Sequence, residues 1–163
     1  FRAAALQCAA CPLAGPATQT VFGEGPLDAR VMIVGEQPGD QEDLTGRVFA
    51  GPAGEVLSSA LHQAGLRRED LYLTNAVKHF KYEQKGKIRL HKRASGSEMH
   101  ACKPWLEQEI LRIQPRVIVC LGATAATSVM GRLVKVEAER GRLFSAYRTK
   151  VLVSWHPAAI LRS

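Results

Sequence analysis

RVMIVGEQPGDQED, residues 30–43, joins an apolar run to a turn crowded with carboxylates. Val31 to Val34 are apolar without a break, as in a strand covered on both faces. Three further runs share this character: Asp70-Leu-Tyr-Leu-Thr-Asn75, Arg116-Val-Ile-Val-Cys-Leu121 and Lys150-Val-Leu-Val-Ser-Trp155. Helical patterns lie between them. Pro52 to Ala64 opens with proline, which suits a helix N-terminus, and stops before Gly65. Ser97 to Ile113 is long and amphipathic, with Pro104 expected to bend it or mark its start, and Ala123 to Met130 is closed by Gly131. Strands alternating with helices imply a parallel sheet with right-handed crossovers. The expected fold is therefore α/β, a three-layer α/β/α arrangement around a central four-stranded parallel sheet. The 163 residues suit one domain, 1–163, with no internal repeat and no dividing linker.

In open α/β sheets, ligands bind beyond the carboxyl ends of the strands. The residues there are Glu36-Gln37-Pro38-Gly39-Asp40, Asn75, Gly122 and His156-Pro157. Polar residues fit for chemistry thus fall where such a fold builds a site. Glu36, Asp40, Glu42 and Asp43 would suit a divalent-metal hydrolase, but no second carboxylate group follows another strand. Gly35, Pro38 and Gly39 suit a rigid turn whose backbone approaches a ligand. Gly51-Pro52-Ala53-Gly54 could receive a phosphate or base at the next helix N-terminus. By residue type alone, Glu36 is equally a surface carboxylate and His156 equally a histidine satisfied by its neighbours. Phe49 reads as core on pattern.

The chain carries a net charge of +7, with 46% hydrophobic and 23% charged residues. Residues 78–93, KHFKYEQKGKIRLHKR, hold seven Lys/Arg against one Glu, so one segment supplies nearly all the excess. Such a run is either a solvated loop or a grip for a local anionic partner, and its confinement favours the partner. No apolar run approaches the roughly 20 residues of a membrane span. The opening residues show no long apolar stretch followed by a cleavage site, from which a cytoplasmic location is expected.

Cys8 and Cys11 form a C-x-x-C pair, and Cys102 and Cys120 complete the four cysteines. With no secretion signal, a disulfide framework is not expected. Scattered buried thiols and a redox pair are the plain readings. Four thiolates also fit zinc or an iron–sulfur cluster, and residue type does not choose between these metals.

Taken in order, GEQPGDQED, VFAGPAG, LYLTNAVKHFK, ACKPWL, LGATAA and WHPAAILR resemble the uracil-DNA glycosylase superfamily from Cys8 to Arg162. The likeness is strongest to its iron–sulfur family 4 and X-type members. Gln37 in the first motif is nearer the X-type. So is the basic insertion ending in histidine, KIRLHKRAS, in which Ile88 stands where arginine is common. The resemblance implies a structural [4Fe–4S] cluster held by Cys8, Cys11, Cys102 and Cys120 in an N-terminal ligand segment and the core. It implies that Glu36 and Gln37 border the scissile bond, with Gly39 and Asp40 in the same turn. Phe49 would stack on uracil, Asn75 would read its Watson–Crick edge, and His156 would face O2. Arg89 would contact DNA, and His91 would capture the sugar at C1′.

The expectation is a monomeric enzyme that removes uracil from DNA, single strands favoured, and then stays covalently attached through His91. Its partners would be uracil-containing DNA and uracil, with no membrane. A conventional multi-turnover family 4 glycosylase would not need a histidine in the basic loop. A non-catalytic iron–sulfur DNA-binding module would need the loop but not Glu36, Asn75 and His156. A flavodoxin-like nucleotide binder is disfavoured by the local positive charge.

Overall fold

The computed structural model describes residues 2–162; Phe1 and Ser163, at the ends of the expected domain, lie outside the described residues. The strands are β1 (Val31–Gly35), β2 (Tyr72–Asn75), β3 (Tyr82–Lys85), β4 (Ile88–His91), β5 (Val117–Leu121), β6 (Leu143–Ala146) and β7 (Thr149–Ser154). The helices are α1 (Arg2–Leu6), α2 (Asp40–Thr45), α3 (Pro52–Gln63), α4 (Gly96–Ile113), α5 (Ala123–Met130), α6 (Val136–Glu139) and α7 (Pro157–Arg162).

The main sheet has the order β2-β1-β5-β7-β6. The four strands expected from the apolar runs pair in parallel, but the sheet has five strands rather than four, because β6 adds antiparallel to the edge at β7. The turn between β6 and β7 consists of Tyr147 and Arg148, both at positive φ (52° and 60°). Tight hairpins need that backbone but normally signal it with Asn-Gly or Asp-Gly, so nothing in the residue types announced this one.

Strand alternation divides the core into two. Met32 and Val34 of β1, with Ile118 and Cys120 of β5, pack against Leu106, Ile110 and Ala126 from α4 and α5. Ile33 of β1 and Leu121 of β5 face the other way, toward Leu57 and Leu61 of α3. Helices on both faces give the three-layer arrangement. Moving outward from β1, the chain reaches β2 on one side and β5 on the other, so the topology switches between β1 and β5. That is where a doubly wound sheet opens a crevice.

Helix α4 begins at Gly96, not at Pro104, and runs through the proline to Ile113. A capping box starts it: Ser95 accepts from the Glu98 N–H, and Glu98 accepts from the Ser95 N–H. The basic segment is not a loop. It is an antiparallel hairpin in which Tyr82 pairs with His91 and Lys85 with Ile88 across a turn at Gly86 (φ 59°) and Lys87.

Candidate active site

A cavity of about 870 Å³ opens at the carboxyl ends of β1, β2, β5 and β7. Glu36, Gln37, Gly39, Phe49, Asn75, His91 and His156 all line it. The chain thus gathers seven of the nine expected catalytic and substrate-binding residues at the crevice.

Asn75 ends β2 with its side chain buried and its Oδ1 without a hydrogen-bond partner among the described residues. A buried acceptor left unpaired costs about 1–3 kcal/mol, so this oxygen is poised for a donor. Gly35 lies beside it in register, and a Cβ there would strike both Asn75 Oδ1 and the Phe49 ring. Phe49 itself adopts φ 51°. Arg68 holds this strained turn by donating to the carbonyls of Val48 (2.6 Å) and Phe49 (3.2 Å). Gly54 lets α3 approach the Phe49 carbonyl more closely than any side chain would allow.

His156 stacks near Phe49, with ring centroids 6.4 Å apart and planes 29° from parallel. Its Nδ1 accepts from the Ala158 N–H at 3.0 Å, so the neutral ring carries its proton on Nε2. Glu36 is held between two groups: Thr124 donates to Oε2 at 3.4 Å, and His91 Nε2 lies 3.6 Å from Oε1. The sequence reading missed Thr124, whose place at the start of α5 after β5 was the available signal.

Gln37 lines the cavity, but its amide is committed to backbone. Nε2 donates to the Lys92 carbonyl (2.6 Å) and Oε1 accepts from the Lys81 N–H (2.7 Å). It therefore bolts both roots of the hairpin to the end of β1.

Asp40 and Arg89 do not line the cavity; they hold each other. The Arg89 guanidinium donates to Asp40 at 2.7 Å and to fully buried Asp43 at 2.6 Å, and lies 5.1 Å from both the Phe80 and Tyr82 ring centres. Asp43, then Asp40, keep it charged above its ordinary range. Arg89 and His91 share a face of β4 by alternation. The anchor at Arg89 consequently aims His91 at Glu36, while Ile88 and Leu90 face outward and exposed.

Behind Asn75 lies a charged network with no exposure. Lys78 Nζ donates to Glu109 Oε1 (2.5 Å), Thr74 Oγ1 (2.6 Å) and the Asn75 carbonyl (2.5 Å). Glu109 also accepts from the Tyr72 hydroxyl at 2.6 Å, and burial together with this carboxylate pushes the Tyr72 phenol up. The network ties α4 to β2 and fixes the backbone that presents Asn75.

The structure brings three of the four cysteines together. Cys11 packs against the small core formed by Leu13, Val77, Ala94 and Cys102. The Trp105 indole donates to Cys8 Sγ at 3.2 Å, and the Lys78 N–H to Cys102 Sγ at 3.4 Å. Donors aimed at sulfur suit thiolate ligands. Cys120 does not join them: it sits on β5 between Val34 and Val153, in the sheet core, where burial pushes its thiol up to about 12. Among the described residues, no three His, Cys, Asp or Glu side chains converge on one ion position. A cluster asks for a wider ring of donors, because each thiolate binds its own iron.

A family model described as the uracil DNA glycosylase superfamily matches residues 22–163. The chain belongs to this superfamily. It is similar to a Type-4 uracil-DNA glycosylase of Thermotoga maritima, with 40% identity over 159 residues that cover 96% of this chain and 79% of the relative. A Type-4 uracil-DNA glycosylase of Pyrobaculum aerophilum is 38% identical, covering 95% and 80%. A Type-5 uracil-DNA glycosylase of that organism is 31% identical, covering 83% and 64%. Among the described residues, no helix is long and apolar enough to cross a membrane.

Proposed function

We propose that this chain is a uracil-DNA glycosylase and that the cavity receives a uracil flipped out of DNA. The observation that carries the reading is the buried, unpartnered Oδ1 of Asn75 in the cavity wall. Uracil offers N3–H to that oxygen and O4 to the amide nitrogen. Cytosine presents the reverse pattern, which leaves buried polar atoms unpaired and rejects it. Phe49 supplies a flat apolar face for the base.

Cleavage of the bond between C1′ and N1 leaves positive charge on the sugar and negative charge on uracil. His156, protonated at Nε2, donates toward O2 as that charge grows. Replacing His156 by Ala is expected to slow uracil release by about 10²–10³-fold, the cost of losing one such donor. The reading is tested by incubating the chain with single-stranded DNA holding one uracil and quantifying free base. Uracil released there, and no cytosine from a matched strand, supports it; an intact strand contradicts it.

His91 deepens the reading. On a cavity-facing strand beside Glu36, its imidazole is within reach of a sugar whose base has left, and we infer X-type capture through C1′. Likeness to the Type-4 relatives favours a second reading, ordinary turnover by water. Single-stranded DNA is the preferred substrate in this account, since an unstacked base reaches the cavity at least cost. Lys85 and Lys87, exposed at the hairpin tip, would grip phosphates. Neutralising both is expected to flatten the salt dependence of single-strand binding by about 1.4 in log–log slope, with uracil preference kept.

A [4Fe–4S] cluster at Cys8, Cys11 and Cys102 belongs to the same proposal. Bound there, it would fasten the N-terminal segment to α4 in a structural role. This chain's residues would orient it through the Trp105 and Lys78 donors.

A further inference from the structure

We propose that the cavity holds a second base beside the flipped one, and that Trp155 is the platform on which the nucleobase next to uracil stacks. This subsite rests on the uracil reading above and extends the same cavity.

The cavity is larger than its first occupant. Its volume of about 870 Å³ lies near the top of the ~300–1,000 Å³ range of pockets that enclose whole drug-sized molecules. Uracil is a single small ring. Strand order shows where the surplus lies. Asn75 ends β2 and Trp155 follows β7, at opposite ends of the run β2-β1-β5-β7. Strands lie about 4.8 Å apart, so these two strand ends are about 14 Å from each other. A pyrimidine paired with Asn75 and lying on Phe49 does not reach across that span to the wall beyond β7. That wall is built from α6, Trp155 and the first turn of α7.

The chemistry of this wall suits a base. Val136 and Ala138 on α6, with Ala158 on α7, give it small apolar side chains, and Trp155 gives it a flat ring. Trp155 is 39% exposed, although tryptophan is highly buried on average. The Arg140 guanidinium lies 5.9 Å from the ring centre, a cation–π contact that steadies the ring. Every base has a π-face, so an aromatic platform of this kind accepts any neighbour of uracil. Lys135 lines the same wall beside Glu137, and Arg140 adjoins Trp155. These two cations stand where the phosphate joining the two nucleotides would pass. A neighbour with no complementary strand is free to leave its stack for the indole, so the subsite favours single strands.

The test uses the whole chain and short, end-labelled single strands carrying 2′-fluoro-2′-deoxyuridine. The fluorine disfavours positive charge on the sugar, so the base stays attached. Kd is read by fluorescence anisotropy for the full strand, for strands with an abasic tetrahydrofuran spacer 5′ or 3′ of the uridine, and for a strand with 2′-fluoro-2′-deoxycytidine in its place. One of the two spacers should weaken wild-type binding about 5–150-fold, the worth of one base stacked on an aromatic ring. Trp155→Ala should bind the full strand as weakly as wild type binds that spacer strand, and should not tell the two apart. Trp155→Phe should keep most of the discrimination. Tryptophan emission of the wild-type chain should be quenched more by the full strand than by the spacer strand, which reads the stacking without any substitution. Equal binding and equal quenching by full and spacer strands, with uracil still preferred to cytosine, would overturn the second subsite and leave the uracil pocket standing. So would a spacer effect that survives undiminished in Trp155→Ala. No preference for uracil over cytosine would overturn the uracil reading and this one together.

Discussion

Replacing His91 by Gly is expected to abolish any heat-stable protein–DNA adduct while uracil is still released. Once uracil leaves with the electrons of its bond to C1′, the sugar cation takes the nearest nucleophile. A neutral imidazole is a competent nucleophile. The ring would form the new bond to C1′ through a nitrogen lone pair, and its proton would pass to Glu36, which lies 3.6 Å from Nε2. Held in place, the imidazole would act at an effective concentration of order 10⁵ M or more, and water would lose the competition. Without the ring, water reaches the same cation and the enzyme turns over. Glu36→Gln should slow capture more than it weakens DNA binding. The check is a denaturing gel run beside a free-base assay. A His91→Gly adduct formed at the wild-type rate would move the nucleophile to another residue.

The largest stability effect is expected at the buried pair behind Asn75. Lys78→Met would leave the fully buried Glu109 facing Tyr72 and Thr74 without its cation. Breaking such a pair from one side costs about 3–5 kcal/mol, whereas replacing both partners by apolar residues of similar volume is often neutral. Urea denaturation of Lys78→Met and of the double variant Lys78→Met, Glu109→Leu separates the two cases. The single change should shift the midpoint far more than the double. A loss below about 1 kcal/mol in the single variant would show that the pair is not the fastening that its geometry describes.

The fold was legible where burial leaves a mark on residue type. Four strands covered on both faces must be apolar throughout, and their carboxyl ends named the crevice before any geometry was known. The missing strands lack that mark. β3 and β4 carry mostly polar and charged side chains, so charge hid the hairpin that Gly86 permits. β6 depends on a Tyr147–Arg148 turn that no turn-forming residue signals. At the site, Asn75 and His156 could be placed because each ends or follows a buried strand, whereas Phe49 read as core on pattern and was named for the cavity only through the resemblance. Gln37 and Arg89 were named through the resemblance but not in their contacts, since which atom an amide or guanidinium meets is decided by tertiary structure. Cys120 was legible as a cysteine but not in its surroundings: strand pairing, which residue type does not announce, puts it in the sheet core.

One time course with the wild-type chain and excess single-stranded DNA containing uracil tests glycosylase action and capture most directly. Free uracil and heat-stable adduct are measured in the same tube. The predicted result is one uracil released for each adduct formed, with both stopping when every protein molecule is attached. No release of uracil would contradict the glycosylase reading itself, and continued release without adduct would contradict capture by His91.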